Sequence, residues 1–158
     1  MSDNSFIYQP VDASNLRIGI VSASYNTDLT TELLNKTTES LKEHGLPAEN
    51  LTVSKVPGSF EVPVVANEMA ISGSYHAVIA LGVVIAGDTS HHEVIGQTTA
   101  QSLLDISTQT RTPVINGILV VNNLQQAEDR ITGEQDRGPE FAKTALHMGS
   151  LKYSWNHS

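Results

Sequence analysis

Two adjacent histidines, His91 and His92, lie within the polar stretch "GDTSHHE" at residues 87–93. Ser90 and Glu93 have the spacing of a capping box, so we expect a helix to begin at about His91. A histidine at a helix start, beside polar loop residues, is suited to transferring protons at neutral pH. Solvated histidines next to an ordinary helix cap are the alternative.

The residues before the histidines have the chemistry of an anion site. Gly87 permits close approach to the backbone, and the amides of Asp88, Thr89 and Ser90 could converge on a phosphate group. A metal site is disfavoured, because adjacent helical side chains point about 100° apart and neither histidine has another four residues later. We therefore predict phosphate chemistry here and no bound metal.

Two other short segments carry groups that could contact an organic ligand. In "SASYNTD", the ring of Tyr25 could stack on a planar molecule and the amide of Asn26 could bond its edge, although Asn is also common in plain turns. In "VPGSFEVP", a turn at Pro57–Gly58 places Glu61 at a helix start. Its carboxylate could accept hydrogen bonds from ligand hydroxyls or only interact with the helix dipole.

Arg130 and Arg137 flank a glycine-containing loop in a chain whose net charge is −8. The planar guanidinium can donate two hydrogen bonds to a phosphate. Solvated surface charge is the alternative for each arginine considered alone.

Strand and helix patterns alternate along the chain, which predicts an α/β domain with a four-stranded parallel sheet covered by helices on both faces. In such a sheet, ligands bind outside the carboxyl ends of the strands, where the polar segments above would lie. We place the domain at residues 15–153, between tails at 1–14 and 154–158. The predicted strands are 16–23, 51–56, 77–85 and 113–121, and the predicted helices are 28–44, 60–71, 93–108, 124–131 and 140–152.

Composition excludes several classes of protein. The 158 residues include no cysteine, and no basic patch suited to nucleic acid is visible. No apolar run approaches the roughly 20 residues of a membrane span, and the first residues lack a signal-peptide pattern. We therefore expect a cytoplasmic protein that binds neither membranes nor nucleic acid.

The motifs, taken in order, resemble the lumazine synthase family over nearly the whole chain. They are Tyr25-Asn26, "VPGSFE" (56–61), "LGVVIAGDTSHHE" (81–93), "PVINGILVVNNLQQAEDR" (113–130) and "RGPE" (137–140). The resemblance implies a flavodoxin-like three-layer fold and a cofactor-free transferase of riboflavin biosynthesis. Members condense 5-amino-6-ribitylaminopyrimidine-2,4-dione with 3,4-dihydroxy-2-butanone 4-phosphate, giving 6,7-dimethyl-8-ribityllumazine, phosphate and water.

The resemblance also implies assembly and residue roles. Active sites would form between neighbouring subunits of a homopentamer, with an icosahedral capsid of twelve pentamers as the larger form and riboflavin synthase as a further partner. His91 would transfer protons, and Arg137 would be an additional basic pocket residue. Gly87, Asp88, Thr89 and Arg130 would bind phosphate, and the pyrimidine and its ribityl chain would contact Tyr25, Asn26, Ser59, Phe60, Glu61, Val83, Val84 and Asn116.

Three positions depart from the family pattern. Ala86 stands where many members have arginine, Asn116 replaces a common aromatic residue, and the loop at 131–136 is about one residue shorter than in some relatives. These departures leave open a non-catalytic flavin- or lumazine-binding paralogue that keeps the assembly. The small polar residues of "GQTTAQS" (96–102) suit close helix packing between subunits, or else a solvated face.

Overall fold

A computed structural model describes residues 6–157 of the chain. Residues 1–5 and Ser158, which belong to the predicted tails, lie outside the described residues. Four parallel strands form one sheet in the order β2-β1-β3-β4, which confirms the predicted fold class. The strands are β1 (Ile18–Ala23), β2 (Leu51–Val56), β3 (Ala77–Ile85) and β4 (Val114–Val121).

Five helices connect and cover the strands. Gly45 follows the first and Gly73 the second, both with positive φ (97° and 76°), a conformation that glycine adopts without strain. Short 3-10 turns precede β2 (Ala48–Asn50) and the second helix (Ser59–Glu61). The helices are α1 (Thr27–Glu43), α2 (Val62–Ile71), α3 (His91–Thr110), α4 (Leu124–Ile131) and α5 (Gly138–Asn156).

The core consists of one apolar cluster on each face of the sheet. Helices α1, α4 and α5 cover one face, where Leu33, Ile131 and Leu146 are fully buried. Helices α2 and α3 cover the other face through residues such as Ala66 and Leu103. Because α3 and α4 lie on opposite faces, the residues that they carry are separated by the sheet.

The predicted tails are partly structured in the described residues. Tyr8 and Val11 pack against the core, and Ala13 is buried in it. At the other end, α5 begins two residues earlier than predicted, with Pro139 in its first turn, and includes residues 154–156 of the predicted tail. Within residues 6–157, no helix has the length and apolar character that crossing a membrane requires.

Candidate active site

The carboxyl end of the sheet has a step. Ser22 pairs with Leu81, and β1 ends one residue later at Ala23, whereas β3 continues to Ile85. Strands β3 and β4 therefore extend about 10 Å beyond β1 and β2, at roughly 3.3 Å per residue. The loops that follow β1 and β2 lie on this step.

Tyr25 lies on the turn that follows β2. The backbone amides of Ser24 and Tyr25 both donate to the carbonyl oxygen of Pro57, at 2.9 Å each. The Tyr25 ring packs directly on Gly58, where a Cβ atom would be only 2.8 Å from ring atom Cδ2. With 68% of its surface exposed, the ring can stack on a planar ligand.

Asn26 connects the end of β1 to β3. Its backbone is left-handed (φ 59°, ψ 52°), a conformation that asparagine adopts more readily than most residues. Its Nδ2 donates to the carbonyl oxygen of Val83 at 2.8 Å. One N–H of the amide is thus committed to the protein, and Oδ1 and the second N–H remain for the ligand contact that the sequence predicted.

Ser59 and Glu61 are held by the turn after β2. Ser59 is buried against β3 at Gly82, where any Cβ atom would clash with the Ser59 hydroxyl. Glu61 Oε1 accepts a hydrogen bond from the Gly58 amide at 3.1 Å, whereas Oε2 has no protein partner within residues 6–157. Phe60 lies between them with 60% of its surface exposed. Oε2 and the Phe60 ring are therefore accessible to a ligand.

Val83 and Val84 offer different groups, because successive side chains of a strand point to opposite faces. The Val83 side chain is 3% exposed and packs into the apolar cluster beneath α1, α4 and α5. A ligand at the step could therefore contact Val83 only through its backbone, whose carbonyl oxygen accepts from Asn26. The half-buried Val84 side chain packs on the α2–α3 face.

The loop between β3 and α3 supplies backbone donors. Ala86 N donates to Val121 O at 2.8 Å, which fixes the start of the loop. The next four amides, at residues 87–90, donate to no acceptor among residues 6–157. A Cβ atom built on Gly87 would meet no protein atom within 4 Å. The Asp88 carboxylate would repel an anion bound in the same loop. The loop amides and the positive end of the α3 dipole would have to offset the negative charge of Asp88.

The capping box predicted at Ser90 and Glu93 is wrong, although α3 does begin at His91. The backbone of Ser90 (φ −84°, ψ 15°) is not extended, and its hydroxyl makes no capping hydrogen bond. Instead, Thr89 Oγ1 accepts from the His91 amide at 3.3 Å. The His91 side chain is exposed and has no hydrogen-bond partner in the part of the chain that the structure describes. It is therefore accessible for proton transfer.

Arg130 does not meet the loop within one subunit. It lies in the last turn of α4, and its Nη1 donates to Gln126 O of the same helix at 3.0 Å. Helix α4 covers the face of the sheet opposite α3, where Ala127 and Ile131 enter the core. A single chain therefore does not bring Arg130 beside His91.

Arg137 and Asn116 also lie away from the step. Arg137 pairs with Glu140 and lies over the Phe141 ring, at the start of α5. Asn116 pairs with Ala80 in the sheet, five residues before β4 ends, and its Oδ1 accepts from Ile118 N at 3.1 Å. A role for either residue in the same site requires a second subunit.

Two contacts at this edge were missed by sequence reasoning. Gly82 lets Ser59 approach β3, and a glycine inside an apolar strand is a signal of such close approach. His92 bonds the carbonyl of Thr89, for which the sequence gives no local signal. Among residues 6–157, no group of three or more His, Asp or Glu side chains could hold a metal ion.

Comparisons with known proteins identify the family. Residues 15–153 match the family model described as 6,7-dimethyl-8-ribityllumazine synthase. A protein of that name from Synechococcus sp. (strain CC9605) is 40% identical over 144 residues, covering 89% of this chain and 90% of the relative. Another, from Thermococcus gammatolerans, is 41% identical over 136 residues, covering 86% and 87%.

Proposed function

The chain belongs to the 6,7-dimethyl-8-ribityllumazine synthase family and is an enzyme of riboflavin biosynthesis; we propose that it condenses 5-amino-6-ribitylaminopyrimidine-2,4-dione with 3,4-dihydroxy-2-butanone 4-phosphate. One observation carries this assignment. The same edge of the sheet presents an exposed aromatic ring, Tyr25, and the four backbone amides of residues 87–90, which donate to no acceptor in the described part of the chain. These groups match a planar substrate and a phosphorylated substrate.

The pyrimidine substrate would occupy the step between β1 and β3. Its ring would stack on Tyr25 and contact the backbone at Val83 and Val84, and its ribityl hydroxyls would donate to Glu61 Oε2. The Glu61 carboxylate is held in place by the Gly58 amide, so it need not reorganise when a hydroxyl arrives. We place the phosphate of the second substrate at residues 87–90.

The chemistry follows from positioning two substrates that already carry their reactive groups. The amine attacks the ketone to give a carbinolamine, which loses water to form an imine. Phosphate then leaves and the ring closes with loss of water. His91 would move protons in these steps, and the loop amides with Arg130 would stabilise the departing phosphate.

We propose that each site is completed by a neighbouring subunit. Arg130 lies on the face of the sheet opposite α3, so it would reach the phosphate loop of another copy rather than its own. Asn116 lies in a shallow groove between α3 and β4, which small or uncharged polar residues of α3 also line: Gly96, Gln97, Thr99 and Ala100. Both features support contact between copies of this chain, and the family resemblance implies a homopentamer, a capsid of twelve pentamers and riboflavin synthase as a further partner.

The direct test mixes purified protein with both substrates and follows the fluorescence of the lumazine product. We expect product and stoichiometric phosphate to appear together, and a Tyr25→Leu variant to show a raised KM for the pyrimidine only. A protein that binds flavin but forms no lumazine would contradict the proposal and support a carrier. Light scattering of the active protein that gives the mass of one subunit would overturn the shared site.

A further inference from the structure

The second histidine of the pair, His92, has no part in the proposed chemistry, yet it is more buried than His91. Its side chain is only 16% exposed. Its ring nitrogen Nδ1 lies 3.3 Å from the carbonyl oxygen of Thr89, and Nε2 lies 3.9 Å from Glu93 Oε1. The two neighbours in sequence are therefore in different environments: one ring is exposed and unbonded, and the other turns back onto the loop.

The hydrogen bond between His92 and the Thr89 carbonyl shows which ring nitrogen of His92 carries the proton. A carbonyl oxygen can only accept, so the proton must be on Nδ1 of His92. The same residue, Thr89, also accepts the His91 amide on its side-chain oxygen. Thr89 is thus held at its carbonyl by His92 and at its hydroxyl by the backbone of His91.

Both contacts hold Thr89, which lies in the loop at residues 87–90. The backbone amides of this loop donate to no acceptor in the described residues. When the Thr89 carbonyl is bound to His92, its peptide plane is restrained, and the next amide, at Ser90, belongs to that same plane. The orientation of the Ser90 amide donor therefore depends on the His92 ring. A loop held in one orientation loses less conformational entropy when an anion binds than a loop that must be ordered.

We propose that His92 is a positioning residue, which orients the backbone donors of residues 87–90 for the phosphate of the four-carbon substrate. This inference rests on the proposed function. It assigns His92 to binding of the phosphorylated substrate and not to proton transfer, so the two histidines have separate roles.

A pair of matched substitutions separates the Nδ1 hydrogen bond from ring size and charge. Asparagine places an amide nitrogen as far from Cβ as Nδ1 of histidine, whereas glutamine places its nitrogen near the position of Nε2. His92→Asn should therefore keep the bond to Thr89, and His92→Gln should lose it. We expect His92→Gln to raise the KM for the butanone phosphate about three- to tenfold, the effect of one neutral hydrogen bond. The KM for the pyrimidine should stay unchanged, and His92→Asn should keep both parental values.

Hydrogen–deuterium exchange of the full chain tests the positioning role without either substrate. The backbone amide of His91, which donates to Thr89 Oγ1, should exchange faster in His92→Gln than in the parent or in His92→Asn. Equal exchange in all three proteins would overturn the proposal, and so would equal KM values for His92→Asn and His92→Gln. A parent protein that makes no lumazine but shows the expected exchange pattern would contradict the proposed function and leave the role of His92 in the loop supported.

Discussion

His76, at the amino end of the sheet, and His91, at its carboxyl end, lie in opposite environments. At the amino end, His76 is 7% exposed and exchanges two hydrogen bonds with Arg17: its amide donates to Arg17 O at 2.8 Å, and its Nδ1 accepts from Arg17 N at 2.9 Å. At the carboxyl end, His91 is exposed and its ring has no hydrogen-bond partner in residues 6–157. One histidine contributes to the fold, and the other is accessible to a substrate.

The contrast extends to the groups around each histidine. The His76 ring packs against Tyr153, and the adjacent residue of α5, Lys152, donates to Arg111 O at 2.8 Å. The amides of residues 87–90, in contrast, have no protein acceptor in the described chain. Polar groups bonded within the protein stabilise the folded state, whereas unengaged ones at a strand end are available to a ligand. Substitutions at the amino end should therefore change stability, and those at the carboxyl end should change activity.

The largest effect should come from Arg130→Ala, which removes a forked cation from the proposed phosphate site. We expect kcat/KM for the butanone phosphate to fall by about 10²- to 10³-fold, the usual effect of losing one donor to developing charge. The matched control is Arg17→Ala at the amino end, which should leave kcat/KM unchanged. Steady-state kinetics with each substrate varied in turn would measure this, and a parental KM and turnover for Arg130→Ala would refute the role.

His91→Ala should have the next largest effect on activity. Loss of a proton-transfer group lowers turnover by about 10²-fold, and measurable activity should remain because the substrates are still positioned. The midpoint of urea unfolding should not change, since the ring is exposed and has no hydrogen-bond partner among residues 6–157. If His91→Ala turned over at the parental rate across roughly pH 6 to 9, the residue would be merely structural.

His76→Ala, in contrast to His91→Ala, should lower stability and leave activity unchanged. The substitution removes the acceptor of the Arg17 amide from a buried site, which costs about 1–3 kcal/mol of unfolding free energy. Activity measured well below the melting temperature should stay at the parental level. Urea unfolding at fixed protein concentration measures the loss of unfolding free energy. A parental unfolding free energy would show that the amino end does not depend on this bond.

The smallest effect is a pH dependence of stability. Burial, followed by the positive charges of Arg17, Lys152 and His157, holds the pKa of His76 below its usual value. The folded state therefore favours the neutral ring, whose contribution is complete above the unfolded pKa of about 6.5 and is lost as the pH falls below it.

An asparagine at this position gives the matched control, because its Oδ1 can accept from Arg17 N but does not titrate. We expect the unfolding free energy of the parent to decrease between about pH 7.5 and 5.5 by more than that of His76→Asn. Identical pH profiles for the two proteins would show that His76 does not cause the dependence.

The fold was largely predictable because its signals are local. The segment at 51–56 and the apolar run at 77–85 predict β2 and β3 with the correct bounds, and Gly45 and Gly73 mark helix ends. The site was less predictable. The capping box at Ser90 has the right spacing but the wrong backbone geometry, and the bond from Asn26 to Val83 joins residues 57 positions apart. Such contacts depend on strand register, which single-sequence patterns do not specify.

In the proposed shared site, His91 of one subunit acts together with Arg130 of another. Coexpression of His91→Ala and Arg130→Ala chains with different tags, followed by purification on both tags, gives mixed assemblies. If the residues act across an interface, random mixing leaves about a quarter of the sites with both side chains intact, and the mixed protein should be far more active than either variant. Activity equal to the mean of the two separate variants would contradict the shared site.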